Sequence, residues 1–442
     1  MKIQLSDHFT YRRLLRFTLP SVAMMIFTSV YGVVDGFFVS NFVGKTSFAA
    51  VNFIMPVLMI LGALGFMFGT GGSALVAKTM GEGDRDRANR IFSLVVYVTV
   101  GCGILLTAVG IPMMRPVASL LGAEGQMLED CVTYGRVVLI ALPFYMIQFA
   151  FQSFFIAAER PGMGFAMSLV SGGLNMALDA LLVGVLDRGL VGAALATAIS
   201  QTVGGVFAVV YFCLPGRGIL RLGRPVLDGR ALLKTCTNGS SELLANISMS
   251  VVGILYNYQL MRYEGEDGVA AYGVLMYVNM IFLAVFIGYA VGMAPVVSFH
   301  YGAGNHGELQ SLRRKSLVMI SLSSVAMVIL GMALARPLAQ IFVSYDPALA
   351  EMTVRAFCIY AFSFLFAGPS IFGSCFFTAL NNGLVSAIIS FMRTMVFQVA
   401  AVLLLPLVWG LDGIWISIVV GEALAMAVMA GFLVGMRKRY HY

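Results

Sequence analysis

The sequence predicts an all-α integral membrane protein, with twelve transmembrane helices in two parallel six-helix repeats. Three observations carry this: the composition, the number of long apolar runs, and a self-match at half the chain length. Of 442 residues, 60% are hydrophobic and only 11% charged, with a mean hydropathy of +0.91. Soluble domains carry about 45–50% apolar and about 25% charged residues, because Leu and Phe cannot cover a globule in water. The same figures exclude a disordered chain.

A helix that crosses the bilayer needs about 20 predominantly apolar residues. Such runs fall near 14–40, 48–77, 91–113, 131–157, 163–186 and 190–214, then near 236–261, 269–299, 316–335, 353–380, 383–408 and 412–436. The first is too long for a signal peptide and has no small-residue cleavage site after it, so it counts as a span. With a cytoplasmic N-terminus, 20 Lys and Arg collect inside, among them Lys2, Arg12, Arg13, Arg16, Arg217 and Arg313, against 7 outside. That bias places both termini of a multi-pass chain in the cytoplasm. The net charge of +7 therefore reads as an orientation signal, and no nucleic-acid partner is expected. Six scattered cysteines show no CxxC pair, and the four histidines form no HExxH; no GxxxxGK[ST] loop is present. No metal site, cofactor, ATP-driven motor or enzymatic activity is expected.

Sliding the chain on itself gives matches at an offset of 221. Gly32 falls on Gly253, Gly44 on Gly265, and Ala49–Ala50 on Ala270–Ala271. Gly81-Glu-Gly83-Asp84 falls on Gly302-Ala-Gly304-Asn305, and Gly189-Leu190 with Gly192 on Gly410-Leu411 with Gly413. An even number of spans per half gives both halves one orientation, so the repeat is parallel, about an axis along the membrane normal. The expected units are an N-lobe over 1–214, a basic cytoplasmic linker over 215–234 and a C-lobe over 235–442. Two such lobes facing a central cavity suit alternating access.

Ionisable side chains at bilayer depth cost at least about 2.5–3.5 kcal/mol at a helix centre and are functional candidates for that reason. Away from their ends the spans hold Asp35, Asp179, Glu242, Arg393 and Glu422. Asp35 and Asp179 both fall in the outer half of the N-lobe, and Asn175 is one turn before Asp179 on the same helix face. Two carboxylates and an amide form an oxygen set suited to Na⁺. Equally, burial and mutual repulsion favour a proton on one carboxyl near neutral pH. Gln148 and Gln152 extend this polar network. Pro20 removes a hydrogen bond early in the first span and favours a kink there. Arg393 and Glu422, each near the midplane on neighbouring antiparallel spans, are expected to form an ion pair in the C-lobe. With 28 Met and 33 Phe, the chain has deformable surface for a cavity. Tyr145 with Phe149, Tyr256 with Tyr258, and Met276 with Met280 are candidates to line it. His300, at the cytoplasmic end of its span, is expected to play an interfacial role.

The order Pro20, Asp35-Gly-Phe-Phe-Val, Gly44, Ala49-Ala50-Val51 and Gly81-Glu-Gly83 resembles that of the multidrug and toxic compound extrusion (MATE) transporters. So do Asn175-x3-Asp179 and Gly292-Met-Ala-Pro-Val with Tyr301-Gly-Ala-Gly-Asn305. The resemblance covers nearly the whole chain and is closest to the prokaryotic DinF-like and multidrug-efflux branches. It implies an antiporter in a prokaryotic cytoplasmic (inner) membrane, in which inward H⁺ or Na⁺ drives export of drugs or other organic, often cationic or amphiphilic, compounds; a monomer is expected. It further implies that Asp35, Asn175 and Asp179 form the cation site. In some branches an acid at the position of Glu242 belongs to a second cation site completed by an Asp on the tenth span, which here holds no acid. A flippase for lipid-linked oligosaccharides, from the same superfamily, is the alternative. It would want a strongly cationic cavity, whereas a single deep Arg393 stands here against four acids.

Overall fold

The computed structural model describes residues 3–214, 218–343 and 346–442. Lys2, Arg217 and the first linker residues, 215–217, lie outside the described residues. The described residues form helices and turns with no strand among them, as a chain in hydrocarbon requires if every backbone group is to be satisfied within its own segment.

The first half holds α1 (Tyr11–Phe42), α2 (Lys45–Gly81), α3 (Arg85–Leu120), α4 (Gly125–Ile140), α5 (Leu142–Ala157), α6 (Pro161–Leu178) and α7 (Gly189–Cys213). The second holds α8 (Gly229–Glu264), α9 (Glu266–Gly302), α10 (His306–Val343), α11 (Pro347–Ala361), α12 (Ser363–Ala379), α13 (Gly383–Phe391), α14 (Phe397–Leu404) and α15 (Pro406–Gly435). A short α16 (Arg437–Tyr440) ends the chain. Among the described residues, nine helical stretches are long and apolar enough to cross a membrane, and two bent pairs bring the number to eleven. The 36-residue α8 is the twelfth. Its polar residues lower its hydropathy, yet Thr235, Asn238 and Ser241 are buried against protein and not lipid.

Two expected spans are broken. The span at 131–157 bends by 57° between α4 and α5, where Pro143 in the first turn of α5 has no N–H to continue the ladder. The span at 353–380 bends by 43° between α11 and α12. By contrast, α1 runs unbroken through Pro20 for 32 residues.

The repeat is written into the backbone. Residues with positive φ recur in register: Gly44 with Gly265, Gly83 with Gly304, and Gly189 with Gly410, while Glu159 and Asn381 match with a slip of one residue. Each pair occupies corresponding turns of the two halves, where a left-handed residue lets the chain reverse without a helix continuing.

The halves meet closely at the end of the bundle that holds both termini. There α2 crosses α8, α1 crosses α9, and α2 meets α9. Glycines make these crossings possible. A Cβ on Gly81 would collide with the Phe299 carbonyl oxygen, and one on Gly302 with that of Lys78. These contacts are repeat mates of each other. Gly71 faces the Thr235 carbonyl and Gly239 that of Met67, while Gly288 and Gly292 face α1 at Ser21, Val22 and Thr18. Toward the opposite end, Gly32, Gly36, Gly253 and Gly273 have empty space where a side chain would go.

The seam therefore predicts unequal tolerance. Gly81→Val should cost about 1–3 kcal/mol, since neither backbone can yield. Gly253→Ala, in an open helical site, should be neutral or stabilise by up to about 1 kcal/mol. Thermal melts of the purified variants check both.

Candidate functional site

Asp35 is on α1, and Asp179 follows the last residue of α6. From Asp179 to Val185 the fifth span widens into a π-helix, a rare geometry that concentrates at functional sites. The Asp35 and Asp179 carboxyls face each other within hydrogen-bond reach. Asp179 is fully buried and Asn175 is 4% exposed. Among the described residues, no donor reaches Asp179 Oδ1 or Oδ2, Asp35 Oδ1 or Asn175 Oδ1. Buried oxygens are normally hydrogen-bonded, so a cluster of acceptors without donors is unusual and marks these side chains as the candidate site.

The surroundings extend this site beyond the residues expected from sequence. Tyr31 and Tyr134 lie close enough to Asp35 to feel its charge, and Tyr134 approaches Thr197 on α7. Thr197 and Gln201, one turn apart, line a small cavity of about 30 Å³ with Met55, Tyr145 and neighbouring apolar side chains. That is room for a water molecule or two. The i, i+4 spacing of Thr197 and Gln201, in the polar stretch of a mostly apolar helix, was the readable signal. Gln148 accepts a hydrogen bond from the Ser171 hydroxyl at 3.2 Å. Gln152 is 1% exposed, and no donor among the described residues reaches its Oε1.

The second half arranges its charges differently. Arg393 Nε donates to Glu422 Oε2 at 2.8 Å, with the two side chains 15% and 9% exposed. Glu242, on α8, is a further carboxyl within the field of Arg393. Arg393 also sits in a π-helical segment, Met392–Val396, so the fifth span of each half widens at its charged residue. Beside the pair, the Tyr256 hydroxyl donates to Gln398 Oε1 at 2.8 Å and lies 2.7 Å from Ser417 Oγ, while its ring stacks on Tyr272.

The candidate cavity residues divide. Tyr145 and Phe149 are in edge contact, with centroids 4.4 Å apart. Tyr256 is buried but Tyr258 is 65% exposed, because two residues along a helix turn a side chain to the far face. Met280 is exposed and its carbonyl accepts from Ser29 of α1 at 3.3 Å.

This is a duplicated, all-helical, multi-pass membrane protein with a donor-less carboxyl pair in one half and an ion pair in the other. The chain belongs to the MatE family, which matches it twice, over residues 20–181 and 243–404. It is 24% identical over 423 residues to the multidrug export protein MepA of Staphylococcus aureus (strain MRSA252), covering 95% of this chain and 92% of that one. The corresponding protein of Staphylococcus haemolyticus (strain JCSC1435) is 23% identical over 425 residues, covering 96% and 93%. A crystal structure of MATE in complex with MaL6 superposes with a TM-score of 0.92 at 24% identity, covering 98% of this chain and 97% of that one. A structure described as the outward-facing conformation of a multidrug resistance MATE family transporter gives 0.91 at 25% identity, covering 98% and 96%.

The ion pair makes a prediction of its own. Arg393→Leu should cost about 3–5 kcal/mol by leaving Glu422 buried without its partner, and Arg393→Leu with Glu422→Leu should recover most of that loss. A double-mutant cycle read by thermal unfolding measures it.

Proposed function

We propose that the protein is a cation-coupled antiporter that exports drugs or other organic, often cationic, compounds by alternating access. The observation that carries this reading is the pairing of half-buried Asp35 with buried Asp179 and Asn175, four of whose buried oxygens have no donor among the described residues. Such a site takes up a small cation, H⁺ or Na⁺, in proportion to its exposure to the bulk phase. The relatives named as multidrug export proteins support the choice of cargo.

In this reading the basic residues hold both termini in the cytoplasm, and the glycine seam closes the cytoplasmic end. The coupling site then communicates with the outside. Binding of a cation removes repulsion between the carboxyls and changes which arrangement of α1 against the fifth span is lowest in energy. Because linkage is reciprocal, a cation that favours one conformation lowers affinity for a substrate that favours the other. Thr197 and Gln201 would carry water to the pair. Glu242, within the field of Arg393, is the acid to examine next if the coupling site is elsewhere.

The test uses protein in liposomes with ethidium under an imposed pH or Na⁺ gradient. The wild type should move dye under one of the two gradients, which identifies the ion. Asp35→Asn and Asp179→Asn should each slow the initial rate at least about tenfold. Unchanged rates in both variants would remove the coupling role from this pair. Absence of movement under either gradient would favour the flippase alternative.

A further inference from the structure

Residues 3–10, ahead of α1, are not helical, yet they are built into the molecule at the end that holds both termini. Leu5 is 1% exposed and Phe9 is fully buried. The Leu5 N–H donates to Glu159 Oε1 at 2.8 Å, and Glu159 occupies the left-handed turn between α5 and α6 of the first half. A few residues on, the same strap grips the second half. The Phe9 N–H donates to Glu308 Oε1 at 2.9 Å, and His8 Nδ1 lies 2.6 Å from Glu308 Oε2. Lys315 Nζ, also on α10, donates to the Phe9 carbonyl at 2.5 Å. The Phe9 ring meets Phe17 and His300 edge-on, with His300 two residues from the Gly302 crossing.

Both anchoring carboxylates are buried, and neither belongs to the coupling site. A buried carboxylate is tolerated only while donors reach it, and here the arm supplies them. The side-chain bonds that otherwise cross between the halves among the described residues are long ones to carbonyls: Ser29 to Met280 at 3.3 Å and Asn381 to Ala74 at 3.4 Å. Asn381 occupies the turn that corresponds to that of Glu159, so in each half this turn takes part in a clasp. If the two halves separate at this end, the strap cannot stay on Glu159 and Glu308 together.

We propose that residues 3–10 form a latch, clipped by Glu159 of one half and Glu308 of the other, that holds the terminal end closed and releases once in each transport cycle. This rests on the alternating-access reading above. The experiment measures the gap directly, by electron–electron double resonance between spin labels at Asp86→Cys and Gly307→Cys, on a cysteine-free background in nanodiscs. The wild type should show a dominant short distance and a minor long one under a pH or Na⁺ gradient with dye. The Glu159→Ala, Glu308→Ala double variant and deletion of residues 3–9 should each raise the long-to-short ratio about tenfold. The Glu159→Gln, Glu308→Gln variant, which keeps an acceptor for each backbone N–H, should move it much less. The deletion keeps the test valid if the alanine variant fails to fold. Unchanged ratios in a wild type that samples both distances would overturn the latch and leave alternating access standing. A single distance in the wild type under every condition would overturn both.

Discussion

The structure depends on how two helical halves can adhere inside a bilayer. Lipid tails are as apolar as Leu, so no hydrophobic force drives helix against helix, and association must come from close contact. The seam answers this with glycine. At Gly81 and Gly302 the backbones of α2 and α9 touch reciprocally, and Gly71, Gly239, Gly288 and Gly292 do the same along α2–α8 and α1–α9. Dispersion over these contacts is individually small and collectively adequate. The same seam explains the odd composition of α8: a helix that buries Thr235, Asn238 and Ser241 in protein need not be apolar enough for lipid.

The two halves share one backbone plan and differ in charge. In each, the fifth span loosens to a π-helix at an ionisable residue, Asp179 in the first and Arg393 in the second. In the second half the guanidinium is covalently part of the chain and already neutralised by Glu422. In the first half two carboxyls meet, and among the described residues no basic side chain pairs with them. The same point of a shared backbone plan thus carries an ion pair in one half and a carboxyl pair in the other.

Much of the fold was legible in the sequence, for a physical reason. Apolar length reports hydrocarbon thickness, and the offset of 221 placed the turn glycines in register before their φ values were known. The partners Asp35, Asn175 and Asp179 stood out because ionisable groups are so costly at that depth. What stayed hidden depends on contacts between distant segments. The break at Phe362, the π-helices and the meeting of Tyr134 with Thr197 across two helices have no local signature. Tyr256 and Tyr258 were paired by proximity in sequence, but helix geometry sends them to opposite faces. Nothing in the sequence around Glu159 and Glu308 singles them out; their roles depend on the strap of residues 3–10 that lies on them.

The seam and the carboxyl pair share one helix. The terminal half of α1 lies against α9 through Thr18, Ser21 and Val22, while its other half presents Asp35 to Asp179. In the proposed mechanism α1 would join the charge state of the carboxyl pair to the contact between halves, with no intermediate needed beyond its own 32 residues. Backbone-to-backbone contact suits such a joint. It is specific, because a single methyl group spoils it, and few strong hydrogen bonds must break when the helices part. A seam held by many buried bonds would be stable in one state only. One held by glycine contacts, with its strong polar anchors confined to a strap at the rim, suits the proposed alternating access, in which opening and closing would cost a modest free energy of the size a bound cation can supply.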